Sequence, residues 1–161
     1  MPINYAQRRQ QFLDALEGQA AVIPAAALMQ HHADVEFPFR QDSDFWYLTG
    51  FDEPGAVALF LPHRPGNSFV LFVPAKDPTA EVWHGFRWGT EGAVAEFGAD
   101  VAHPLEQLEA LRPDYLQGAE GICFRVGRHP DLEKLVLRCW SNQLDRASRT
   151  GEAMRQLTAP C

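Results

Sequence analysis

Apolar residues recur along this chain at two periods, and the change from one period to the other predicts an order of elements. After Asn4, a cap former, Tyr5, Phe12, Leu13 and Leu16 share one stripe of a helix that Gly18 ends. Ala20-Ala21-Val22-Ile23 is a short buried strand closed by Pro24. Further on, Asp42, Ser43 and Asp44 are turn and cap formers. Behind them the strand-forming run Phe45-Trp46-Tyr47-Leu48-Thr49 is closed by Gly50, which predicts loop, strand and turn in succession. Ala56–Leu61 and Ser68–Val73 are almost continuously apolar and are joined by Pro62-His63-Arg64-Pro65-Gly66-Asn67. A hairpin of that kind is buried on both faces and belongs in the middle of a sheet with helices on each side.

The second half repeats the alternation. Glu81-Val82-Trp83 is a short extended piece, and His84-Gly85-Phe86-Arg87-Trp88-Gly89 is a loop whose rings pack on the body of the domain. Thr90 caps a helix through Phe97, Gly98 stops it, and Asp100-Val101-Ala102 is a marginal strand. Pro104 opens a helix through Leu105, Leu108 and Leu111 that Pro113 ends. Gly121–Val126 is another strand. From Pro130, Leu132, Leu135, Val136, Cys139, Trp140 and Leu144 trace one face of a long helix to about Arg146. Ser148–Cys161 is polar and reads as a tail or the start of a linker, giving a domain over 1–147 and a tail over 148–161. Roughly six strands alternate with helices out of strict βαβ order, so the expected fold class is α/β, a mixed sheet flanked by helices.

Composition narrows the function classes. A chain of 161 residues can hold one core. Its formal net charge of −7 argues against nucleic acid or an anionic membrane as partner. The longest apolar run, Ala20–Met29, contains Pro24 and falls far short of the ~20 residues that cross a bilayer. No apolar segment follows Arg8 and Arg9 as a secretory signal would require, so the expected compartment is the cytoplasm. Cys123, Cys139 and Cys161 are odd in number and widely spaced, which fits reduced structural thiols. His31-His32-Ala33-Asp34-Val35-Glu36 holds metal-ligand residue types. Adjacent histidines diverge in either a strand or a helix, however, so a solvated loop or interface lip is the expectation.

The stretch Phe37-Pro38-Phe39-Arg40-Gln41-Asp42-Ser43-Asp44-Phe45-Trp46-Tyr47-Leu48-Thr49-Gly50-Phe51-Asp52-Glu53-Pro54, followed by Ala56–Leu61, resembles the signature of the N-terminal domain of aminopeptidase P, the Xaa-Pro aminopeptidases. Ala80-Glu81-Val82-Trp83-His84-Gly85 resembles a second block of that domain, and together they extend the likeness over nearly the whole chain. The resemblance implies a mixed six-stranded sheet flanked by helices, related to the ribonuclease H-like motif. It also implies a larger pita-bread catalytic domain, absent before Cys161, that binds two divalent metal ions, manganese by expectation, through two Asp, one His and two Glu. No catalytic residue or metal ligand is then expected in this chain, which alone should be inactive. The implied partners are its own catalytic domain, neighbouring subunits and peptides with proline at the second position. Trp83 would reach an active-site mouth between subunits, and Asp34 would lie near the same opening. Read from the residues alone, Trp83 is a core ring and Asp34 a solvated acid. Phe37 and Phe39, held apart by the stiff Pro38, form an apolar patch of the kind that marks an interface. A free-standing binding or oligomerisation module using that surface is the alternative. An independent hydrolase lacks a nucleophile-base pair.

Overall fold

The apolar hairpin sits where its composition requires. In the computed structural model, which describes residues 3–28, 30–32, 35–36, 38–77, 79 and 85–150, the strands are β1 (Ala20–Pro24), β2 (Gln30–His32), β3 (Val35–Glu36), β4 (Val57–Phe60), β5 (Phe69–Val73), β6 (Val101–Pro104) and β7 (Ile122–Phe124). Five of them form one sheet in the order β6-β5-β4-β1-β7, while β2 and β3 pair separately. The hairpin strands β4 and β5 are antiparallel, with Val57 opposite Phe72 and Phe60 opposite Phe69, and every residue of both is buried. β4 is also antiparallel to β1, whereas β1 with β7 and β5 with β6 are parallel.

Helices cover both faces: α1 (Tyr5–Ala15), α2 (Ser43–Thr49) and α3 (Gly89–Ala95) on one, α4 (Leu108–Leu116) and α5 (Pro130–Thr150) on the other. Alternation along the strands divides the core accordingly. Ala21, Ala58, Phe60, Phe69 and Leu71 meet Leu13, Phe45, Leu48 and Ala93. Val22, Leu59, Val70, Phe72 and Ile122 meet Leu108, Leu116, Val136 and Trp140. No helix among the described residues is long and apolar enough to cross a membrane.

Several expectations change. The run Phe45–Thr49, expected as a strand, is helix α2. Asp42 Oδ1 accepts the N–H groups of Asp44 (3.0 Å) and Phe45 (3.1 Å) as an N-cap, and Gly50 closes the helix at φ 67° with its N–H on the Trp46 carbonyl. Phe45, Leu48 and Thr49 turn inward at helical spacing, and Trp46 and Tyr47 face out. Pro113 lies inside α4 rather than ending it. Past it, the wholly buried Leu116 packs into the core and the Tyr115 carbonyl accepts a 3.0 Å bond from His63 Nε2, so tertiary contacts hold the turn that the proline weakens. The start expected at Pro104 is instead strand β6 followed by a 3₁₀ turn over Leu105–Gln107. His31-His32 lies in strand β2 rather than a loop, α3 begins at Gly89, and α5 continues to Thr150. The main sheet has five strands among the described residues, against six expected.

Candidate functional site

The stretch that carries the family signature folds as a set of tie points. Gln41, half-buried at the entrance to α2, uses both ends of its amide. Its Oε1 accepts the N–H groups of Ala26 (2.8 Å) and Asp42 (2.9 Å), and its Nε2 donates to the carbonyls of Phe51 (3.1 Å) and Glu53 (2.9 Å). The segment after β1, the start of α2 and the segment after α2 are thereby tied by one side chain. Thr49, 1% exposed, donates from Oγ1 to the Phe45 carbonyl at 2.7 Å and accepts the Phe51 N–H at 3.0 Å. Arg9 of α1 reaches across to the Leu48 carbonyl (3.4 Å) and lies 4.5 Å above the Phe69 ring. Gly50 is required twice over, because a Cβ there would lie 2.7 Å from the Tyr5 ring.

From this knot the contacts reach Arg87 and Trp88, just past the second block. Glu53, 6% exposed, accepts the Trp88 N–H on Oε1 at 2.6 Å, and its Oε2 lies 3.9 Å from Arg87 Nη1. Asp52 Oδ1 takes the Trp88 indole N–H at 3.3 Å. The Trp88 ring stands edge-on to Phe97 (5.3 Å) and Phe86 (5.0 Å), and Lys76 Nζ lies 5.1 Å from the Phe86 ring centre. Two acids of the signature thus clamp Arg87 and Trp88, in the described segment that follows the second block. A buried carboxylate in that position needs its partners, since an unpaired one carries a large desolvation cost.

Trp83 and Asp34, the substrate-facing residues implied by the resemblance, lie outside the described residues, as does Phe37. What the structure brings together is the mounting of the loop: Gly85 at φ 80°, Phe86, 62% exposed, and the clamped Arg87 and Trp88. Phe39, Trp46 and Tyr47 are also exposed. Gln41, Asp52, Glu53 and Arg87 escaped the sequence reading. Its available signals were an acid placed between Phe51 and Pro54 and an amide just before a cap, but the contact from Glu53 to Trp88 spans 35 residues. Cys123 is half-buried and Cys139 buried, and neither is in a disulfide.

The comparisons with known proteins fall on this same region. Residues 5–123 match the family model described as "Aminopeptidase P, N-terminal domain". Over 159 residues the chain is 34% identical to the Xaa-Pro aminopeptidase of Escherichia coli K12, spanning 98% of this chain and 35% of that protein. It is 34% identical over 124 residues to human Xaa-Pro aminopeptidase 3, spanning 69% of this chain and 24% of that protein. The aminopeptidase PepP structure from Pseudomonas aeruginosa superimposes with a TM-score of 0.87 at 34% identity, over 99% of this chain and 36% of that one. The chain therefore spans about a quarter to a third of the length of the relatives it matches. With the mixed sheet, the signature knot and the matched segment in agreement, this chain belongs to the aminopeptidase P N-terminal domain family.

Proposed function

We propose that the chain is the non-catalytic N-terminal part of a metal-dependent Xaa-Pro aminopeptidase, where it shapes the access of peptides with proline in second place and contributes to oligomer assembly. The observation that carries this reading is the clamp of Asp52 and Glu53 on Trp88, which fixes a loop five positions beyond Trp83. A tryptophan ring close in sequence to that anchor can offer a flat apolar face to a pyrrolidine ring and exclude water, a contact of about 1–3 kcal/mol. Asp34 supplies a carboxylate that attracts the ammonium group of the peptide. In this reading the two divalent ions belong to the catalytic part. The exposed rings of Phe39, Trp46, Tyr47 and Phe86 are the surface we assign to contacts with that part and with neighbouring subunits. Cys123 and Cys139, neither in a disulfide, fit a reducing, cytoplasmic setting.

The test is Trp83→Ala in the enzyme that includes the catalytic part. The expected outcome is a lower kcat/KM on Xaa-Pro peptides with unchanged melting and metal content. A variant that melts well below its parent yet keeps normal kinetics when folded makes Trp83 a core residue and removes its substrate role. The isolated 161-residue chain should show no Xaa-Pro hydrolysis, with or without added manganese.

A further inference from the structure

A cavity of about 610 Å³ opens on the α1–α2 face at the carboxyl ends of the parallel strands β1 and β7, and it shares no residue with the Glu53 clamp. That place in an open α/β sheet is a natural ligand crevice, because the strands end there and the loops diverge. Its volume is that of small-molecule sites. The cavity has two distinct parts. Phe12 of α1, Ile23 of β1, Leu48 of α2 and Cys123 of β7 line it with apolar surface, while the loop after β7 brings Arg125, Arg128 and His129 to its rim opposite Asp42 and Asp44.

The charges of the rim are unequally satisfied. Arg125 pairs with Asp42 at 3.3 Å and also with Asp44, so one guanidinium is shared by both acids. Arg8 donates to the Tyr47 carbonyl at 3.2 Å and lies 4.1 Å above the Tyr47 ring. Arg128 is exposed and makes no ion pair among the described residues. Burial, helped by Arg128 and Arg125 and opposed by Asp42, holds His129 below the usual imidazole range, so near neutral pH it is an uncharged partner. Arg8 and Arg128 are the lining guanidiniums without an ion pair among the described residues; Arg8 is engaged by Tyr47, and the exposed Arg128 offers a ligand a planar fork that matches a carboxylate, above a floor suited to an apolar body. A dianion would have to approach Asp42 and Asp44 as well, which disfavours it against a single carboxylate.

We propose that this cavity binds a small monocarboxylate with an apolar body, the carboxylate on Arg128 and the body against Phe12, Ile23, Leu48 and Cys123. The test is a titration of the ¹⁵N-labelled chain with sodium 3-phenylpropanoate, followed by amide shifts. Saturable shifts at Ile23, Cys123 and Arg128 are expected, with a Kd of roughly millimolar or tighter. Arg128→Gln, at an exposed position without an ion pair, should keep the parent spectrum and weaken binding by about fivefold or more. The uncharged 3-phenylpropan-1-ol should weaken by a similar factor. The proposal is overturned by shifts that do not saturate, by saturable shifts located elsewhere, or by an affinity that Arg128→Gln leaves unchanged. It fails equally if inorganic phosphate binds as tightly as the phenylpropanoate, because the site then reads charge alone.

Discussion

The two faces of the sheet are held by different means. On the α4–α5 side, Phe72, Leu116, Val136 and Trp140 interlock, and the polar ties are those of His63, Arg64, His103 and Tyr115 at the edge of the layer. On the α1–α2–α3 side an apolar layer is overlaid by side chains that bond to backbone: Arg9, Gln41, Asp42, Thr49 and Glu53. Apolar packing is non-directional and tolerates exchange at constant volume, whereas a buried polar tie fixes a segment in one place. The difference teaches where this domain needs shape alone and where it needs position. Position is needed on the side that carries Arg87 and Trp88.

The comparison can be broken by substitution. On the apolar face, Phe72→Ala removes a ring with no solvent exposure and should cost about 3–5 kcal/mol in urea unfolding, while Phe72→Leu should recover most of that. On the polar-tied face, Gly50→Ala forces a side chain into a left-handed backbone and against the Tyr5 ring, at an expected cost of about 3 kcal/mol. Repeating it in a Tyr5→Ala background should relieve the steric part and leave the backbone part. Gln41→Ala unpairs two N–H groups and two carbonyls, for about 2–3 kcal/mol, although it empties little volume. If Gln41→Ala unfolds at the same urea concentration as the parent, the two faces do not differ in the way described.

The smallest expected effect is on pH. Burial lowers the pKa of His63 and His103 from the ordinary 6.5, so the unfolded chain binds more protons than the folded one below that value. Stability is therefore full above pH 6.5 and declines as pH falls toward the depressed folded values. His103→Gln, which keeps a polar partner for the Tyr115 hydroxyl, should flatten the decline between pH 6.5 and about 5, before carboxylates begin to dominate. An unchanged slope removes His103 from that account.

The parts of the fold that were legible in the sequence were those decided locally. The β4–β5 hairpin was, because two continuous apolar runs around a Pro-Gly turn admit few other placements. So was α1, whose Asn4 accepts the Gln7 N–H at 3.0 Å as its cap. Helix α2 was not legible, since five strand-forming residues outweighed the two that settled the matter, Asp42 as cap and Gly50 as stop. The helix past Pro113 was hidden because its support is tertiary, coming from His63 and from the core on its own side of the sheet. The clamp could not be read from spacing, because its acids and Trp88 meet only after folding. The family resemblance pointed to the correct region without showing what its polar residues bind.

The central claim is that the signature acids, by anchoring Arg87 and Trp88, support the substrate role proposed for Trp83. It is tested most directly by a double-mutant cycle on kcat/KM for an Xaa-Pro peptide, using Glu53→Gln and Trp83→Ala in the enzyme with its catalytic part. Glu53→Gln keeps the shape of the side chain but removes the charge that faces Arg87 and the Trp88 N–H. The account predicts that it lowers kcat/KM roughly threefold or more when Trp83 is present and has little further effect once Trp83 is alanine, the non-additivity of residues acting as one unit. Full kcat/KM in Glu53→Gln, or losses that simply multiply in the double variant, would contradict it.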